Sequence, residues 1–282
     1  MVRVKVAALF IIALLILSGC SAFFDFNAFS AMDTVPAPKA ADYEGLGGLD
    51  KLAQDLNSPA VVAKLKADPA TTQAIENYLL TSYLSAGVTT VDQQEAAALY
   101  CDLNLQTTDA GEFVNNIVTT VVSGVSGTPI QDLLRSIIPA DAMNDPAVFS
   151  TMVQALLLSN TQYLALGAGL VDVNKNGKID VGEGVAPGMN MGDIAQKAAV
   201  AYTMAVIYQQ ISRTLPTLTE DQIISQIYLL STDPAAADPA VQNLTPDPYN
   251  AAGADPPADP YVAANLPNLQ KLFDCAGIAL PG

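Results

Sequence analysis

Between residues 171 and 184 the chain reads VDVNKNGKIDVGEG. Asp172, Asn174, Asn176, Asp180 and Glu183 place oxygen-bearing side chains at close, then wider, intervals. Such oxygens are hard ligands. A short loop that wraps six to eight of them around one point is what a calcium ion requires. Gly177 stands where such a loop must turn sharply, and glycine enters left-handed backbone conformations at no steric cost. The alternative is a surface turn with no ion, because Asn, Asp and Gly dominate turns anyway.

Counted from Asp172, the residues Asp172, Asn174, Asn176, Lys178, Asp180 and Glu183 fall at positions 1, 3, 5, 7, 9 and 12. The stretch thereby resembles the calcium loop of the EF-hand family, and the similar loops of dockerin-type modules. The resemblance implies one side-chain oxygen each from Asp172, Asn174 and Asn176. It implies a backbone carbonyl from Lys178, whose charged end points outward, and a ligand from Asp180, directly or through water. Glu183 closes the shell with both oxygens, and Ile179 packs inward. The sequence departs from the family pattern after the loop. Gly182, Gly184, Pro187 and Gly188 crowd the exit, so the following helix is expected to be absent, short or delayed to about residue 190. No second loop is present to pair with it. Two Asn in place of Asp suit a weak extracytoplasmic site, of about 10⁻⁴–10⁻³ M. A sensor needs a helix pair that opens, so a structural staple is expected.

The N-terminus, MVRVKVAALFIIALLILSGCSAFF, has the layout of a secretory signal: Arg3 and Lys5, then an apolar run from Val6 to Leu17, then small residues. The run is shorter than the ~20 residues a membrane-spanning helix needs. Leu17-Ser18-Gly19-Cys20 resembles the lipobox of bacterial lipoproteins. That resemblance implies a signal peptide over residues 1–19, cleavage before Cys20 and lipidation of Cys20. Ser21 is not the Asp that retains such proteins in the inner membrane, which favours the outer membrane. Residues 20–45 then read as a lipidated tether. Phe23, Phe24, Phe26 and Phe29 are placed to lie at the bilayer interface or on the folded body.

Lys and Arg number 12 against 28 Asp and Glu, for a net charge of −16. Such a chain is repelled by nucleic acid and by anionic membrane surfaces. Attachment to a membrane therefore falls to the acyl chains. Of the three Cys, Cys101 and Cys275 remain after Cys20, an even pair in an oxidising compartment. This predicts a Cys101–Cys275 disulfide; the alternative is two buried free thiols.

The elements that must position the loop read as helices, and the expected fold class is all-α. It is an irregular multi-helix bundle over residues 46–231 with a Pro/Asp-rich C-terminal arm over 232–282. Ser58-Pro59, Asp68-Pro69 and Asp145-Pro146 each set a capping side chain before a Pro suited to the first helical position. Thr90 and Gln93 resemble a capping box, and Thr219 a cap. In GEFVNNIVTTVVSGVSG the apolar residues recur in pairs four apart, which predicts a helix despite the β-branched content. Further helices are expected near 129–138, 146–170, 190–213 and 219–231. Thr232 to Val262 holds seven Pro and five Asp and predicts an extended arm, followed by a short apolar helix, NLQKLFDCAG.

Absence of His rules out Ser-His-Asp and Cys-His catalysis and His-ligated metal sites. Neither a glycine-rich phosphate loop nor an evident carboxylate pair points to an enzyme. The expected function is that of a calcium-binding, lipid-anchored envelope lipoprotein with a structural or interaction role and a possible protein partner. The alternative is a periplasmic carrier of an apolar ligand held between helices.

Overall fold

Helices begin where the sequence supplies a local substitute for the missing backbone acceptors. In the computed structural model, which describes residues 36–122, 138–242, 244, 248–249 and 259–280, Asp68 accepts from the N–H of Thr71, Asp145 from that of Ala147, and Asp259 from that of Tyr261. In each case Pro occupies the next position. Thr90 and Gln93 bond reciprocally, as do Thr219 and Gln222. Ser58 makes no such bond, and Pro59 alone marks that start.

The helices are α1 Gly48–Leu56, α2 Pro59–Ala67, α3 Pro69–Ser82, α4 Val91–Thr107, α5 Ala110–Val122 and α6 Ala140–Asn144. They continue as α7 Pro146–Gly169, α8 Met191–Thr214, α9 Glu220–Thr232, α10 Pro239–Gln242 and α11 Pro260–Ala276. Two short 3₁₀ turns cover Ala40–Tyr43 and Leu84–Ala86. The fold is all-α, and no strand occurs among the described residues. The paired-apolar segment is helical to Val122, as its spacing of four predicts. Residues 129–137 of the helix expected near 129–138 lie outside the described residues, as do the leader, Cys20 and the four Phe after it.

Two apolar cores share one wall. Leu52, Leu65, Ile75 and Leu79 from α1, α2 and α3 pack on Leu99, Tyr100 and Leu103 of α4. The opposite face of α4, with Ala97, Cys101 and Leu105, packs on the larger core formed with α7, α8, α9 and α11. Helix α4 is therefore buried on both sides, which suits a stretch apolar around much of its circumference. Each fully buried Leu or Ile contributes about 1.5–3 kcal/mol relative to exposure.

The C-terminal segment departs from the expected extended arm with a short helix. Helix α11 runs 17 residues and starts at Pro260, well before Asn268. Leu269, Leu272 and Phe273 are buried in the larger core. The Asp-Pro steps at 238–239 and 259–260 are cap and first turn of helices, because Asp supplies the acceptor and Pro the preset φ. Pro267 sits inside α11 without ending it. At its start α11 is seated by Arg213 on Asp259, 2.6 Å, and by Asn160 donating to the Tyr261 hydroxyl, 2.6 Å. Tyr261 also stacks on Tyr202 at 5.9 Å between ring centres.

These contacts fix direction. Residues 160 and 167 of α7 lie beside 261 and 268 of α11, so the two helices run parallel. Helix α8 runs against both, with Tyr202 and Arg213 meeting the start of α11. The C-terminal ends of α7 and α11 and the N-terminal ends of α4 and α8 consequently meet at one end of the bundle. The approach there is close: a Cβ on Gly169 would fall 1.6 Å from the carbonyl oxygen of Val88, so only glycine fits.

Candidate metal centre

The 172–183 loop closes that end of the bundle. It leaves α7 at Gly169 and reaches α8 only at Met191, so no helix follows it directly, as Gly182, Gly184, Pro187 and Gly188 lead one to expect. Lys175 and Gly177 adopt left-handed φ values of 58° and 90°. These two reversals curl the chain back on itself.

All six expected positions join one hydrogen-bond net. Asp172 accepts from the N–H groups of Asn176, 3.1 Å, and Gly177, 2.6 Å. Asn174 Oδ1 accepts from the N–H of Asn176, and Asn176 Oδ1 from that of Lys178, both at 3.0 Å. Glu183 spans the loop: Oε1 accepts from the N–H of Asn174, 2.8 Å, and Oε2 from that of Asp180, 2.9 Å. Asp180 Oδ2 accepts from the side-chain amides of Asn174 and Asn176 at 2.8 and 2.7 Å. Asn174, then Lys178 and Asn176, hold the Asp180 carboxyl below its ordinary range by hydrogen bonding. Ile179 is buried, facing the body as expected. The Lys178 ammonium is largely in solvent yet lies 3.2 Å from Asp180 Oδ1.

The donor chemistry would fit a hard cation: each of the five expected side-chain donors offers oxygen and none is soft. A cation there would depend on amide and backbone oxygens as well as carboxylates. Among the described residues, no three Asp, Glu, Cys or His side chains gather closely enough to hold a metal by themselves.

The loop is held from outside by residues that its own spacing does not reveal. Gln94, buried on α4, donates to the carbonyl of Gly184 and accepts from the N–H of Ala186, each at 2.8 Å. The N–H of Gly182 donates to the carbonyl of Cys275 at 2.8 Å. The Cys275 thiol donates to the carbonyl of Glu183 at 3.6 Å, and the Lys271 ammonium to that of Leu170 at 3.4 Å. Gln94 stands in the polar run Asp92-Gln93-Gln94-Glu95, so nothing in the sequence sets it apart as the residue that reaches the loop.

The expected disulfide is not formed; Cys101 and Cys275 are both buried free thiols. Cys101 donates to the carbonyl of Ser159 in the middle of α7, whereas Cys275 lies at the loop end of the bundle. Compartment and parity leave geometry open: both cysteines belong to the larger core, but their thiols point to different carbonyls.

A second polar centre lies between α4 and α8. The Lys197 ammonium, buried, contacts Asp102 Oδ1 at 2.8 Å and Asp193 Oδ2 at 2.6 Å. Burial pulls the lysine down, but Asp102 and Asp193 outweigh it and hold the group well above its ordinary value. Burial pushes the neighbouring Cys101 thiol and Tyr163 hydroxyl well up. These groups stay protonated at neutral pH, and the cluster acts as an ion-paired brace between helices. Only the i,i+4 spacing of Asp193 and Lys197 was legible in the sequence; Asp102 comes from a distant helix.

No known protein family, curated protein or solved structure matches this chain. No helix among the described residues is long and apolar enough to cross a membrane.

Proposed function

We propose that this chain is a calcium-binding helical lipoprotein of the bacterial envelope. In this reading it is anchored by acyl chains on Cys20 at the outer membrane and acts as a structural or interaction protein. The observation that supports the calcium reading is the closure of the loop by Glu183, whose two oxygens span from Asn174 to Asp180. That arrangement brings the far carboxylate back to the start of the loop, where a cation would draw on both limbs. Asp172, Asn174, Asn176, Asp180 and Glu183 would supply side-chain oxygens and Lys178 its carbonyl. A bound cation would take over the neutralisation of Asp180 that the two amides and Lys178 now provide.

The calcium acts as a staple in this proposal, since the loop joins the ends of α7, α8 and α11 and leads into no paired helix. The carrier reading calls for an enclosed apolar cavity. The groove of about 230 Å³ between the starts of α7 and α9 is lined by Phe149, Ile224 and Tyr228 but also by Ser150, Asp221 and Ser225, and does not favour it.

Isothermal calorimetry with calcium tests the proposal. The intact chain should bind one ion, and Glu183→Ala should lose most of the affinity. Equal binding by both chains would overturn the assignment.

A further inference from the structure

We propose that the 172–183 loop and the last turn of α11 form one calcium-responsive unit, in which calcium in the loop fixes the C-terminal end of α11 and shields Cys275. This rests on the calcium reading of the loop.

Helix α11 touches both limbs of the loop. At the entry, Lys271 donates to the carbonyl of Leu170. At the exit, the Cys275 carbonyl accepts from the N–H of Gly182, and its thiol donates to the Glu183 carbonyl. Gly277 ends α11 at a left-handed φ of 71°, and a Cβ there would lie 3.0 Å from Val181 Cγ2. The decisive residue is Glu183. Its carboxylate closes the loop onto Asn174 and Asp180, while its carbonyl receives the Cys275 thiol. Whatever orders the Glu183 side chain therefore also orders the backbone on which α11 ends.

Electrostatics sets the direction. Asp172, Asp180 and Glu183 place three carboxylates on one twelve-residue loop, with Lys178 lying against Asp180. A divalent cation removes their mutual repulsion and stiffens residues 180–183. Chelation restores it and loosens the contacts to Cys275. The start of α11 is held independently by Asp259–Arg213 and Tyr261–Asn160, so the change is confined to the C-terminal turn. By linkage, the factor by which calcium favours docking of α11 is the factor by which docking favours calcium, so a change that undocks α11 must weaken calcium binding by up to that factor.

The test is the alkylation rate of each cysteine in the full chain, mapped peptide by peptide, in calcium and in chelator, with calorimetry alongside. Calcium should slow labelling of Cys275 by tenfold or more and leave Cys101 unlabelled in both conditions. Calcium that binds by calorimetry without changing the Cys275 rate would overturn the coupling while leaving the loop assignment standing. Absence of binding would remove both. Exposure of Cys101 together with Cys275 in chelator would show global unfolding and would also overturn a local unit. As a reciprocal check, Gly277→Ala, which presses a methyl on Val181, should weaken calcium binding several-fold; unchanged affinity would count against the coupling.

Discussion

Gln94 and Ala186 are 92 positions apart and meet at 2.8 Å, the N–H of Ala186 donating to the side-chain carbonyl of Gln94. The same amide donates in the other direction to Gly184, so one side chain satisfies two backbone groups of the segment leaving the loop. Helix α4 and the loop exit are thereby tied at the end of the bundle where four helix termini meet.

Replacing Gln94 by Ala would strand one backbone donor and one acceptor at that junction. A buried group without a partner costs about 1–3 kcal/mol, so Gln94→Ala should lower the urea midpoint clearly. Gln94→Glu keeps the acceptor for Ala186 and loses the donor to Gly184, and should fall between. A midpoint for Gln94→Ala equal to that of the parent would refute the clasp.

The brace at Lys197 makes a pH-dependent prediction. With the lysine held above its ordinary value of 10.5, its contribution is fully present below that pH and is lost only as pH rises through the higher folded value. Lys197→Met removes the cation and leaves two half-buried carboxylates without it, a loss smaller than the ~3–5 kcal/mol of a fully buried pair. Burial already raises the Asp193 carboxyl, and the lysine opposes that rise. In the variant the opposing charge is gone. A folded value raised above the unfolded one means stability grows as pH falls, so Lys197→Met should regain stability as pH falls from neutrality toward the ordinary carboxylate value of 3.8. Denaturant melts across that range decide it, and a variant that weakens steadily on acidification contradicts the brace.

Calcium should raise the melting temperature of the chain. At free calcium ten times the dissociation constant, a single site that vanishes on unfolding adds about 1.4 kcal/mol. A melt indifferent to chelator would count against the staple.

The cysteines should map as two free thiols under non-reducing conditions, with Cys101 unreactive until the chain is denatured. A peptide joining Cys101 to Cys275 would contradict the geometry, since Cys101 hydrogen-bonds mid-helix on α7 and Cys275 at the loop.

Sequence alone determined what is settled within a few residues. Asp68, Thr90, Asp145 and Thr219 announce their helix starts because a capping bond spans two or three positions. The hydrogen-bond net from Asp172 to Glu183 is legible for the same reason, since it closes within twelve residues. The spacing of apolar pairs likewise predicted α5 as a helix. Tertiary structure alone decided which surfaces meet. It separated Cys101 from Cys275, turned both faces of α4 inward, drew α11 into the core and brought Gln94 to the loop exit. Those choices follow from excluding water over surfaces contributed by distant segments, and burial of that kind is non-directional and leaves no fixed spacing in the chain.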